Sequence, residues 1–160
     1  VTWILPLVIL VTLGAAYQYL QANKVSADQR KNELAYIKDA GYADNEKYND
    51  ILNSISVIED SAIAPLRDTT ITDAELKVKI ETICYPAWKQ IEEKLSITKG
   101  YDVSPILHTK SDKLLAYVQL RKQELDVLLE IINSGNQDGL IDRLNEVREK
   151  LRQAIADLQE

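Results

Sequence analysis

The sequence has no phenylalanine and no methionine, and only one cysteine and one histidine. A buried core therefore has to come from Leu, Ile, Val, Ala and some Tyr, and hydrophobic residues, at 46% of the chain, suffice to form one. The single cysteine, Cys84, excludes a disulfide-stapled scaffold, and His and Cys are too few for a zinc cluster. Five glycines and four prolines among 160 residues favour long helices over a turn-rich β protein.

The charge balance is acidic and evenly mixed. The 19 basic and 25 acidic residues give a net charge of −6. A general nucleic-acid binder needs a basic face that neutralises phosphates, so we expect no nucleic-acid partner. The two signs alternate along the chain, as on a solvated helix surface.

The first charged residue is Lys24, and the run Val1–Leu20 before it is strongly apolar. Twenty helical residues rise about 30 Å, the thickness of the bilayer hydrocarbon core. We therefore predict a transmembrane helix over residues 1–22, with the lipid bilayer as a partner. A signal peptide cleaved near Gly14-Ala15-Ala16 and a buried core helix are the alternatives. Because the chain starts with Val1 and has no Met, we expect a processed chain or a piece of a longer one.

After the predicted span, residues 23–43 are expected to form a stalk and a first soluble helix, and residues 44–160 a helical bundle. Basic residues after the span favour a cytoplasmic bundle under the positive-inside rule. Apolar residues recur at spacings of three and four, and short connections predict antiparallel neighbours. The predicted fold is all-α, a transmembrane helix followed by an antiparallel bundle of four to five helices. The residues of its third helix that are predicted to face the core are Leu76, Ile80, Ile83, Ala87 and Ile91.

Local signals set the ends of these helices. Pro65 and the stretch Arg67-Asp68-Thr69-Thr70 are expected to end the helix that opens near Asp44. Thr72 and Glu75 have the spacing of a capping box. Pro86 lacks an N–H donor and crowds the carbonyl of residue 82, which predicts a kink or a short break at Cys84-Tyr85. A further helix is expected to begin at Ser104-Pro105, an N-cap followed by proline.

Residues that carry chemistry are few. His108 has no aligned nucleophile or carboxylate, and Cys84 lies beside apolar neighbours, where a buried, inert thiol is expected. No glycine-rich phosphate loop and no Glu-x-x-His pair occur. We therefore expect no enzyme activity from this chain, no cofactor and no bound metal.

Arg121 is the exception, because it falls within the apolar stripe of the fourth helix. A buried guanidinium needs a partner, so we predict either an ion pair that sets the helix register or a ligand-binding arginine. Trp88, which we expect to be largely buried, and Tyr117 are further structural or interaction candidates. The carboxylates considered for Arg121 are Glu59, Asp60, Glu92 and Asp142.

The segment from Thr72 to Leu158 resembles the C-terminal extension of some bacterial rhomboid intramembrane serine proteases. The pieces that carry the likeness are Thr72-Asp73-Ala74-Glu75-Leu76, Pro86-Ala87-Trp88 with Ile91 and Leu95, and Leu115-Ala116-Tyr117-Val118-Gln119-Leu120-Arg121. The resemblance implies that residues 1–20 are the last membrane helix. The Gly-x-Ser-x-Gly motif and the membrane histidine of that family are absent, so the chain would be the non-catalytic end of such a protease.

Two functions follow from these observations. The first is a membrane-anchored helical bundle that acts by protein–protein interaction, as the tail of a rhomboid-like protease or as an anchored adaptor. The second is the ligand-sensing bundle of a single-pass receptor. A sensor should have a pocket with converging polar groups, and a tail or adaptor should have a filled core and an exposed apolar patch.

Overall fold

The structure, a computed structural model, describes residues 41–134 and 138–158, and this part of the chain is helical without a strand. We number its helices from the first one described. They are α1 (Asn45–Arg67), α2 (Asp73–Lys79), a π-helical turn (Ile80–Cys84), α3 (Tyr85–Thr98), α4 (Pro105–Ser134) and α5 (Leu140–Asp157). Since α2, the π turn and α3 are continuous, the described bundle has four long helices. The predicted all-helical bundle is confirmed.

The predicted transmembrane helix over residues 1–22 and the stalk over residues 23–43 lie almost entirely outside the described residues. Within the described ranges, no helix combines the length and the apolar character needed to cross a membrane.

Successive long helices run antiparallel, as predicted. The start of α1 meets the end of α3, where the Asp44 backbone N–H donates to the Asp102 carbonyl at 3.1 Å. Glu124 near the middle of α4 pairs with Arg148 of α5, and Lys113 near the start of α4 bonds to the carbonyl of Asp157 at the end of α5. The main packing contacts join α1 to α3, α3 to α4 and α4 to α5.

The capping signals in the sequence are present as predicted. Thr72 Oγ1 accepts from the Glu75 N–H at 3.3 Å while the Glu75 carboxylate accepts from the Thr72 N–H at 2.8 Å, which completes a capping box. Ser104 Oγ accepts from the Leu107 N–H at 3.4 Å in front of Pro105, the first residue of α4. Gly139, with φ 72°, precedes α5 in the left-handed region that glycine adopts without a Cβ penalty.

Pro65 lies in the last turn of α1, and the helix ends within the predicted stretch 67–70, with Asp68 as its C-cap. The helix continues to Arg67, and both Pro65 and Leu66 are buried. A proline this close to the C-terminus removes a single backbone hydrogen bond, and the burial of these two side chains offsets that loss.

Pro86 produces the predicted break in the form of the π-helical turn. The Tyr85 N–H donates to the carbonyl of Ile80, five residues earlier, and α3 then begins with the proline in its first turn. A π turn adds one residue to the helix, and this shifts the buried positions that follow. Ile83, expected to face inward, is 40% exposed, and Ala87 is only half-buried. The buried positions are Leu76, Ile80, Cys84, Trp88, Ile91 and Leu95.

Two clusters form the core. The larger one is made of aliphatic side chains from all four long helices together with Trp88 and Tyr117. The smaller one, at the start of α1, consists of Tyr48, Val103 and Leu107. The expectation of a core without Phe or Met is therefore met by Leu, Ile, Val and three large aromatic residues.

Candidate functional site

The charged residues that are buried in the described part of the chain lie in one connected group, which we call the arginine–glutamate network. It consists of Glu59, Tyr117, Arg121, Glu124 and Arg148, each at most 8% exposed. Isolated charges are too costly to bury, so the bonds among these side chains decide whether the group is stable.

Arg121 is the centre of the network. Its Nε donates to the hydroxyl of Tyr117 at 2.9 Å, and one terminal nitrogen donates to Glu124 Oε2 at 2.9 Å. The guanidinium also lies over the Tyr117 ring, 5.2 Å from the centroid, where the ring quadrupole attracts a cation. Burial alone lowers the pKa of Arg121, but Tyr117 and Glu124 outweigh burial and raise it, so the guanidinium stays charged.

Glu124 joins α4 to α5. It is 1% exposed, and its Oε1 accepts from Arg148 Nε at 3.0 Å while Oε2 accepts from Arg121. Two guanidinium groups therefore converge on one carboxylate. The second of them, Arg148, was not among the residues singled out in the sequence.

Tyr117 joins α4 to the two other helices. Its hydroxyl donates to Glu59 Oε1 on α1 at 2.6 Å. Its ring packs edge to face on Trp88 of α3, with centroids 5.8 Å apart and planes at 80°. Through this one side chain the network reaches every long helix of the described bundle.

The ion pair predicted for Arg121 is present, but its direct partner is Glu124, which was not among the four carboxylates considered. Glu59 is reached only through the Tyr117 hydroxyl. The other three lie elsewhere: Glu92 pairs with Lys122 at 3.0 Å, and Asp60 and Asp142 are exposed. The spacing of three residues between Arg121 and Glu124 was visible in the sequence as a helical i, i+3 pair.

Burial sets the ionisation of Glu59. Removal from water raises the pKa of its carboxyl, and the Tyr117 hydrogen bond and the Arg121 charge oppose that rise without cancelling it.

Trp88, the second candidate, is 1% exposed, as predicted. Its indole Nε1 has no hydrogen-bond acceptor among the described residues, which is unusual for a buried donor. Cys84 lies one turn earlier with its side chain fully buried, and burial raises the pKa of the thiol to about 11. A thiol with that pKa is almost entirely protonated at neutral pH and is a poor nucleophile.

His108 is half-buried in the first turn of α4. Among the described residues, no three side chains of His, Cys, Asp or Glu are grouped so as to hold a metal ion. The groups that the fold does bring together are those of the arginine–glutamate network, and their geometry favours cross-linking of helices.

Comparison with known proteins gave no relatives: no protein-family model, no curated protein and no solved structure matches this chain.

Proposed function

We propose that this chain is a non-catalytic, membrane-anchored helical bundle that acts by protein–protein interaction, as the C-terminal tail of a rhomboid-like membrane protease. The arginine–glutamate network carries the proposal. Its four charged side chains bond to one another or to Tyr117, and these bonds link the helices of the described bundle.

The outer surface supports contact with another protein. In the part of the chain that the structure describes, five large hydrophobic side chains are exposed, among them Val57 at 70% on α1 and Ile106 at 73% in the first turn of α4. An exposed apolar side chain lowers the solubility of the protein, and burying it against a partner lowers the free energy of the complex. The charge-free run Val1–Leu20 supports the membrane anchor.

The anchor is tested by alkaline extraction of membranes that contain the full chain. We expect the chain to stay in the pellet. Leu10→Arg places a charge near the middle of the predicted span, at a cost of about 2.5–3.5 kcal/mol, and should release part of the chain. Leu20→Arg, at the edge of the span, is the matched control and should release little. Complete extraction of the unmodified chain would rule out the anchor.

The contact surface is tested by site-specific photo-cross-linking in native membranes. A photoreactive residue at Ile106 should give a discrete adduct, and one at the exposed Gln123 of the same helix should not. Equal adducts at both positions would reject a specific surface there.

The coding sequence upstream of residue 1 tests the protease assignment: several spans with a Gly-x-Ser-x-Gly motif support it, and a short basic start indicates a free-standing anchor.

A ligand-sensing bundle is the second candidate, and the convergence of Arg121 and Arg148 favours it. Paired guanidiniums bind carboxylates and phosphates, and Glu124 occupies that position in this structure. A sensor would show a rise in melting temperature with a small dicarboxylate or with phosphate. That rise, measured from the melting temperature of each unliganded protein, should disappear in Arg121→Leu.

A further inference from the structure

The residues just before α1 are bonded to the loop between α3 and α4. The Asp44 backbone N–H donates to the Asp102 carbonyl at 3.1 Å. The Asp102 N–H donates to Asp44 Oδ2 at 2.9 Å, and the Ala43 N–H donates to Asp102 Oδ2 at 3.2 Å. Each aspartate side chain therefore accepts a backbone N–H from the other segment, 58 or 59 residues away in the chain. We call these three bonds the aspartate joint.

Asp44 makes the joint instead of capping its own helix. It stands at the N-cap of α1, where an aspartate side chain ordinarily accepts from the N–H of the second or third helical residue. Among the described residues, Asp44 has no such cap bond. Its carboxylate accepts from the Asp102 N–H and, with its other oxygen, from Lys47 Nζ at 2.6 Å. The side chain is 18% exposed, so most of it is shielded from water by these contacts.

The smaller of the two core clusters lies next to the joint in the chain. Tyr48, one turn after Asp44, is fully buried with Val103 and Leu107, and Val103 directly follows Asp102. The Tyr48 hydroxyl donates to the Leu107 carbonyl at 2.9 Å. The start of α1, the α3–α4 loop and the first turn of α4 are therefore held together by contacts that do not belong to the main core.

We propose that the aspartate joint is a strap that fixes where the chain enters the bundle and couples this entry point to the start of α4. The first turn of α4 begins three residues after Asp102 and carries the exposed Ile106. A displacement of the chain before residue 43 is therefore passed through the joint to this turn. The strap does not depend on the proposed function, because it follows from the contacts of residues 43–48 and 101–107 alone.

Amide hydrogen exchange, followed by NMR on the full chain in detergent micelles, tests the strap. The N–H groups of Ala43, Asp44 and Asp102 should exchange at least about tenfold more slowly than in the unfolded chain, the factor that corresponds to one hydrogen bond to a charged group. Asp102→Ala removes only the acceptor of the Ala43 N–H. A strap opens as a unit, so exchange at positions 44 and 102 should rise as well, although their own acceptors remain.

Three matched comparisons separate opening of the joint from other effects. Asp102→Asn keeps a side-chain oxygen that accepts from Ala43 and should leave the exchange rates close to those of the unmodified chain. Asp50→Ala, on the exposed side of α1, removes a carboxylate outside the joint and should change none of them. In Asp102→Ala, exchange should rise at Leu107 in the first turn of α4 and stay unchanged at Leu125, which is fully buried in the main core.

Unchanged exchange at Asp44 or at Leu107 in Asp102→Ala would overturn the proposal, because the bonds would then be independent of one another or of α4. Rapid exchange at all three positions of the joint in the unmodified chain would overturn it as well. So would a rise at Leu125 equal to that at Asp44, because the whole bundle would then be opening and not a strap.

Discussion

Replacing Glu124 by Gln should destabilise the bundle far more than removing the whole ionic group. The substitution keeps the shape of the side chain but removes the carboxylate that the Arg121 and Arg148 guanidiniums, each 8% exposed, share. Breaking a buried ion pair from one side typically costs about 3–5 kcal/mol. For a bundle of this size each kcal/mol lowers the melting temperature by about 4 °C, so a fall of roughly 12–20 °C is expected.

The matched variants separate the cost of unpaired charge from the value of the bonds. Arg121→Met leaves Glu124 paired with Arg148 and the Tyr117–Glu59 bond intact, so its cost should be about 1.5–3 kcal/mol, that of hydrogen bonds to a charged group. Combining Arg121→Met, Glu124→Leu and Arg148→Met removes every charge of the Glu124 ion pairs and should be close to neutral. All are compared by thermal and urea unfolding at one pH. A triple variant as unstable as Glu124→Gln would refute this reasoning, because the ionic bonds would then be stabilising in themselves.

Three further outcomes are expected. Trp88→Ala should cost about 3–5 kcal/mol of unfolding free energy, whereas Trp88→Phe should cost much less, since it also removes an indole N–H that lacks an acceptor; equal losses in urea titrations would contradict this. Cys84 should react with a thiol reagent at pH 8 only as fast as the protein unfolds, because its side chain is buried and its pKa is about 11, and rapid labelling of the folded chain would show an open thiol. Thr72→Ala removes the side-chain acceptor of the capping box and should cost about 1 kcal/mol, with Thr109→Ala on the exposed side of α4 as a control that shows little change.

The sequence alone determined the features that depend on near neighbours in the chain. The Thr72–Glu75 capping box, the start of α4 at Ser104-Pro105 and the break before Pro86 were predicted and are present. Each depends on whether a backbone N–H within a few residues has an acceptor, so a short window of sequence contains all the information. The burial of Trp88 and of Arg121 followed from helical periodicity in the same way.

Only the tertiary structure decided the rest. The π turn contains one residue more than a regular α-helical turn, so that Cys84 is buried in place of Ile83. A regular helical period counted along the sequence does not include this extra residue. Arg148 and Glu59 lie 27 and 62 residues from Arg121 in the chain, and they join one network because α5 and α1 both present these positions to α4. Which helices are neighbours, and how each is rotated, depends on the packing of the whole core, and this packing assigned the partners of the buried charges.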